Sequence, residues 1–236
     1  MAKSKKVVKK AAPKKAAPKK LPKPKSTRVT RPVPVMPAPP PAPAKRDEWP
    51  PAKDVGRLIR YGEKFGALKI ETKMREQPLP ITSGAIAIFD PADKKSWKVI
   101  DRPIGVGQFR SMVSVIGDRT IAITVHCGRP PIDHWAVAHY KGKKPKSADE
   151  ASVASSTGWI AICEATGGSP GVLALPDAKG AAITEVPLTD GRKALAIPCA
   201  KSDISAYWAV DATDKPICFV IDCDALTQKD WKAKPV

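Results

Sequence analysis

The first 46 residues of this 236-residue chain contain no Asp and no Glu, although they hold 15 Lys and Arg. Cysteines are few and scattered: Cys127, Cys163, Cys199, Cys218 and Cys223 form no CxxC pair, and their odd number does not suit a disulfide framework. They read as reduced thiols, packed as small apolar residues. Long apolar runs are missing too. Ala85 to Phe89 and Ile160 to Cys163 fall far short of the roughly 20 residues a membrane-spanning helix needs. Val7-Val8 is all that follows the first lysines where a secretory signal would carry its apolar core. The expectation is a soluble, cytoplasmic protein that does not use a membrane.

Glycine-rich phosphate cradles are absent as well. Gly105-Val106-Gly107 lacks the spacing that would follow in a dinucleotide loop, and Thr166-Gly167-Gly168-Ser169 lacks the Lys-Ser/Thr ending of a P-loop. The six tryptophans are dispersed, with no basic and aromatic interleaving of the kind that stacks nucleotides. Trp97, Trp135, Trp159 and Trp208 read as core or rim packing. No cofactor is expected.

What is present divides the chain in three: a basic Lys/Ala/Pro tail over 1–46, a linker with an expected short helix over 47–66, and a globular domain over 67–236. The whole chain carries a formal net charge of +18, and residues 47–236 keep 26 basic against 23 acidic residues. Nearly all the net charge is therefore in the tail. Residues 11–20 repeat Ala-Ala-Pro-Lys-Lys, and a proline every five residues interrupts any helix that Ala and Lys would favour. With almost nothing apolar to bury, the segment is expected to be disordered. The prolines crowding positions 32–43 favour an extended polyproline spacer.

Dense positive charge without acids attracts polyanions, nucleic acid foremost. The candidate binding residues are Lys5, Lys6, Lys9, Lys10, Lys14, Lys15, Lys19, Lys20, Lys23, Lys25, Arg28 and Arg31. Lysine set among alanine and proline is similar to the tails of linker histones and histone-like bacterial proteins, and such a tail neutralises phosphates without reading bases. Lys141, Lys143, Lys144 and Lys146 form a second basic cluster, read either as a solvated loop or as an extension of this footprint.

From Ala67 onward the texture is that of β-structure. Leu68, Ile70 and Thr72 alternate with charged residues, and Ser83 to Phe89 reads as a buried strand closed by Asp90-Pro91. Phe109–Ile116 and Thr120–His126 flank Gly117-Asp118-Arg119 as a hairpin. Further strands are expected at Gly158–Cys163, Gly171–Leu175, Ala194–Pro198, Ala206–Val210 and Ile217–Cys223, with a polar loop over Lys141–Ser156. Helices are expected at Asp54–Phe65, capped by Asp54, and at Asp133–Tyr140, between prolines and Gly142. The fold class is mainly β, an antiparallel sandwich or barrel with one or two short helices.

Taken together, Leu79–Pro91 (LPITSGAIAIFDP), Trp135-Ala136, Gly158-Trp159 and Ser202–Leu226 (SDISAYWAVDATDKPICFVIDCDAL) resemble the domain of unknown function 4241 family of bacterial proteins. The resemblance spans roughly residues 68–226 and implies a mainly β fold without an assigned chemistry. Where the family pattern has Gly-Asp-Gly before the tyrosine, this chain has Ser202-Asp203-Ile204.

Chemistry-bearing residues are sparse. His126, Cys127, Asp133, His134 and His139 fall within fourteen positions, but His134 and His139 are five apart and diverge by about 140° on a helix. His126 and Cys127 are strand neighbours with opposite faces. No metal site is expected, and the histidines read as exposed beside a buried thiol. Three functions compete. One is a non-enzymatic binding protein engaging DNA or RNA through its tail. The second is a protein-binding β domain of the toxin-neutralising, immunity type with a solubilising or targeting tail. The third is a hydrolase-type enzyme using Cys127 or Cys163 with a histidine base, or Asp222 and Asp224 as paired carboxylates. For those two aspartates the plainer reading is solvated turn formers, with Asp224 capping a last short helix.

Overall fold

Gly117 takes the left-handed conformation (φ +61°) that the turn between two long apolar strands requires, and Asp118 completes it. The strands it joins, Ser111–Ile116 and Arg119–His126, pair antiparallel as neighbours within the protein's larger sheet. The computed structural model describes residues 49–75, 78–129, 131–143, 147, 153–172, 174 and 183–234. The tail reading for 1–46 lies outside them. The chain divides into units 1–44 and 45–236, and the described residues all fall in the second.

In chain order the first strands are β1 (Lys64–Phe65), β2 (Leu68–Lys69), β3 (Glu71–Met74), β4 (Leu79–Ile81), β5 (Ile86–Phe89) and β6 (Lys98–Val99). Then come β7 (Gly107–Phe109), β8 (Ser111–Ile116), β9 (Arg119–His126), β10 (His134–Val137) and β11 (Val153–Ala154). The last are β12 (Trp159–Glu164), β13 (Thr184–Pro187), β14 (Lys193–Pro198), β15 (Asp203–Val210) and β16 (Pro216–Asp222). One sheet runs β10-β15-β16-β9-β8-β3, with β11 also on β15, and a second runs β13-β14-β12-β5-β6. The pairings are antiparallel, so the mainly β expectation holds.

The two sheets share one core. Ile123, Val125, Trp208, Phe219 and Ile221 from the larger sheet join Ile86, Ile88, Ile160, Ile162, Leu195 and Ile197 from the smaller. That is the arrangement of a sandwich. The outer faces are covered as well. Tyr207, Ala209, Cys218 and Val220 are packed by Val55, Leu58, Phe65 and Leu226, so residues read as a linker supply core. Phe89, Ala161, Cys163, Ala194 and Ala196 lie together on the other side, beneath Trp97. Burial on both faces explains why the central strands read as unbroken apolar runs rather than as alternation.

Asp90, at the end of β5, fastens this core to a distant loop. Its carboxylate accepts hydrogen bonds from the backbone of Ala92 (3.0 Å), Ser156 (2.7 Å) and Thr157 (3.1 Å), and from the hydroxyls of Ser156 (3.1 Å) and Thr157 (2.8 Å). Burial opposes its ionisation, but these donors outweigh burial and hold the carboxyl below the usual range. The Asp-Pro that closes the strand in sequence thus acts as a structural knot.

Several expectations are corrected. Asp133–Tyr140 is no helix: His134–Val137 is strand β10, paired residue for residue with Val210–Tyr207. An open edge on β15 offers a ladder to a segment rich in β-formers, and one short helix outside the sheet offers less. Asp54–Phe65 contracts to a 3-10 turn, Val55–Ile59, in which Asp54 makes no side-chain cap bond. Extended Arg60 and left-handed Gly62 end it before Phe65 enters β1. The loop Lys141–Ser156 includes β11. Within the described part of Gly171–Leu175, only the single bridge Val172 to Leu188 forms. The one α-helix among the described residues, Gln228–Lys232, is capped by Thr227 in a capping box with Asp230, not by Asp224.

Candidate functional site

Asp222 ends an apolar strand, and its position on β16 decides its role. Strand alternation turns it toward the outer face of the larger sheet, under the segment around the Val55–Ile59 turn. Only 2% of its side chain is exposed, which corrects its reading as a solvated turn former. Lys53 Nζ lies 2.5 Å from Asp222 Oδ2, and the backbone N–H of Asp224 donates to Asp222 Oδ1 at 2.9 Å. Burial pushes the Asp222 carboxyl up despite the neighbouring ammonium. For Lys53, burial works against the charge, but the Asp222 carboxylate overcomes it and raises the ammonium above its usual range.

A cleft of about 560 Å³ opens beside this pair, lined by Lys53, Arg57, Tyr207, Asp224 and Trp231 among others. Lys53 Nζ sits 4.9 Å from the Trp231 ring centroid, a cation–π contact. Arg57 is fully occupied: it donates to Glu63 Oε1 at 2.8 Å, to the Lys64 carbonyl at 2.7 Å and to the Trp231 carbonyl at 3.3 Å. Asp224 is exposed, adopts the left-handed conformation (φ +52°), and accepts from Ser202 Oγ at 2.8 Å. Asp222 and Asp224 therefore do not converge as two free carboxylates. One is a buried ion-pair partner and the other is a turn residue, so the geometry of the cleft is that of a fastening.

The histidines are dispersed. His126 ends β9 and His134 begins β10, with β15 and β16 between them, which separates the two strands by roughly 14 Å. His134 Nδ1 lies 3.0 Å from Asp133 Oδ2, and His139 Nδ1 lies 3.6 Å from Asp101 Oδ2. Asp101 also accepts from Trp208 Nε1 at 3.0 Å. All three histidines are half-buried rather than exposed. Among the described residues, no group of three or more His, Cys, Asp or Glu is placed to hold a metal.

The thiols carry no activation. Burial pushes Cys127, Cys163 and Cys218 up to about 12 and Cys199 to about 11, and it drives Cys223 well above its ordinary value. A thiolate nucleophile needs the opposite shift. Cys163, Cys218 and Cys223 are buried as expected, whereas Cys127 and Cys199 are half-buried. Of the second basic cluster, Lys143 donates to the Tyr140 hydroxyl at 2.6 Å, while Lys144 and Lys146 lie outside the described residues. The tail cations Lys5 to Arg31 lie outside them too.

No protein-family model, no curated protein and no solved structure matches this chain. No helix among the described residues is long and apolar enough to cross a membrane.

Proposed function

We propose that this protein binds nucleic acid without sequence preference through its basic N-terminal arm, with the β-sandwich as the body that the arm tethers. One observation carries the reading: 15 cations and no acid in the first 46 residues, joined to a body whose 26 basic and 23 acidic residues nearly balance. Such an arm gains affinity by releasing counterions from phosphates and reads no base edge. The body supports this division of labour. Its recognisable fastenings, Asp90 and the Lys53–Asp222 pair, hold structure together, and its thiols are held protonated.

Salt titration tests it. If the arm neutralises about eight duplex phosphates, log K against log salt falls with a slope of about −7, and residues 47–236 alone lose nearly all of that affinity. A body that binds duplex DNA as tightly as the full chain overturns the proposal.

A further inference from the structure

Most arginines of the body are spent on carboxylates. Arg57 pairs with Glu63, Arg75 with Glu185, Arg102 with Asp214 and Arg192 with Asp190. Arg110, Arg119 and Arg129 form no ion pair among the described residues, and two of them, Arg110 and Arg129, stand together. Both are exposed. They line the same groove, of about 580 Å³, at the open end of the β8–β9 hairpin.

Backbone geometry places them there. The His126 N–H donates to the Arg110 carbonyl at 2.8 Å, which sets residue 110 opposite the end of β9. Cys127 and Gly128 both donate to the Ile217 carbonyl, at 2.8 and 2.9 Å, and fix the stem on which Arg129 stands. Gly128 lies so close to β16 that an added Cβ would come within 3.1 Å of the Pro216 carbonyl oxygen. The backbone that carries both cations is thus held at strand ends, and only their side chains remain to be ordered on binding.

The rest of the lining completes a recognisable chemistry. Gln108 adds a polar group, Met74 and its cross-strand partner Met112 add apolar surface above the buried Phe109, and no Asp or Glu lines the groove among the described residues. Met74 is 54% exposed although it is a large apolar side chain. His126 also lines the groove, and its Nε2 is shielded from solvent with no hydrogen-bond partner among the described residues. Burial first and Arg110 second hold its proton affinity below the ordinary imidazole value. The groups facing it are Arg110, Arg129 and the thiols of Cys127 and Cys218, which stay neutral. Among the described residues the site has positive charge and no counter-charge.

An anion matches that lining, and the chain's own arm is excluded because it is itself cationic. Apolar surface beside two guanidinium groups suits a strand whose bases are unstacked, which a duplex does not present. We infer that the groove formed by Arg110, His126 and Arg129 binds single-stranded nucleic acid, with the arginines on phosphates and bases against Met74 and Met112. This rests on the nucleic-acid reading above, and gives the body a selectivity for single strands that the arm lacks.

The test uses full-length chains titrated with a thymidine homopolymer single strand and with a duplex of equal length, across a salt series. In one chain Arg110 and Arg129 are changed to Ala; in another the arm cations are changed to Gln; a third combines both sets. Neutralising the arm removes most duplex binding and leaves single-strand binding that R110A/R129A then weakens at least tenfold. In the otherwise native chain, R110A/R129A makes the single-strand salt slope shallower by about 1.4, from two lost phosphate contacts. R110K/R129K keeps the charges and restores most of the affinity. In an NMR titration, the His126 pKa rises when the strand is added.

Unchanged single-strand affinity and slope in a folded R110A/R129A chain overturn the inference, and so does a His126 pKa that ignores the strand. Equal binding of a glutamate homopolymer also overturns it, by making the partner an acidic protein. If neutralising the arm leaves duplex binding intact, the arm reading fails and the groove is judged on the arginine variants alone.

Discussion

Lys53 Nζ approaches Asp222 Oδ2 to 2.5 Å, joining the segment just after the basic arm to the end of strand β16. Asp222 is almost fully buried, so the pair acts as an internal fastening and not as a surface ion pair. Removing one partner strands the other charge, whereas removing both does not. Lys53→Met is expected to cost about 3 kcal/mol at neutral pH, and Lys53→Met with Asp222→Leu to recover much of it. Urea denaturation of the two single variants and the double variant measures the coupling. Additive losses would show that the pair does not act as a unit.

Asp90 gives a second, acid-sensitive fastening. Its folded pKa is depressed, so its contribution is complete above the unfolded value near 3.8 and is lost as pH falls through the lower folded value. Asp90→Asn keeps the shape but loses the charge, and should cost about 3 kcal/mol at pH 7. The difference from the native chain should shrink as the pH drops below the ordinary aspartate range. Thermal melts at several pH values would show this, and a difference constant down to the acid limit contradicts the assignment.

The thiols predict an opposite dependence at alkaline pH. Their folded pKa values are raised from 9.0 to about 12 at Cys127, Cys163 and Cys218. Their protonated state favours the fold below pH 9, and that contribution is lost as pH rises toward 12. In the native protein at pH 8, a thiol reagent should label the cysteines far more slowly than in urea. Rapid labelling of Cys127 in the folded protein would instead mark an activated thiol.

Gly117 supplies a local test of the hairpin that carries the groove. At φ +61° a side chain is strained, although nothing lies within 4 Å of where a Cβ would stand. Gly117→Ala is therefore expected to cost about 1 kcal/mol through backbone conformation alone. A neutral result in chemical denaturation would mean that the turn relaxes.

Local patterns carried much of the fold. The β8–Gly117–β9 hairpin, the terminal strands β15 and β16 and the buried strand before Asp90 are legible because their β-branched and apolar runs end at glycine or aspartate. His134–Val137 is not legible as strand, since its fate depends on an unfilled edge at Val210–Tyr207, 70 to 76 residues away. The Asp54–Phe65 segment misleads for a related reason. Val55, Leu58 and Phe65 do share one buried face, but they reach it through a short turn and then a strand, and Tyr61 is left exposed.

The candidate sites divide in the same way. Charge segregation, the absence of paired cysteines and the poor spacing of the histidines are properties of composition and order, and the sequence determines them alone. Which charges meet is decided in three dimensions. Nothing near Asp222 in sequence announces Lys53, and Arg110 joins His126 and Arg129 only because antiparallel pairing folds the hairpin back on itself. Charge is additive along a chain and can be read without a fold. Ion pairing and desolvation depend on distance and burial, which strand register sets.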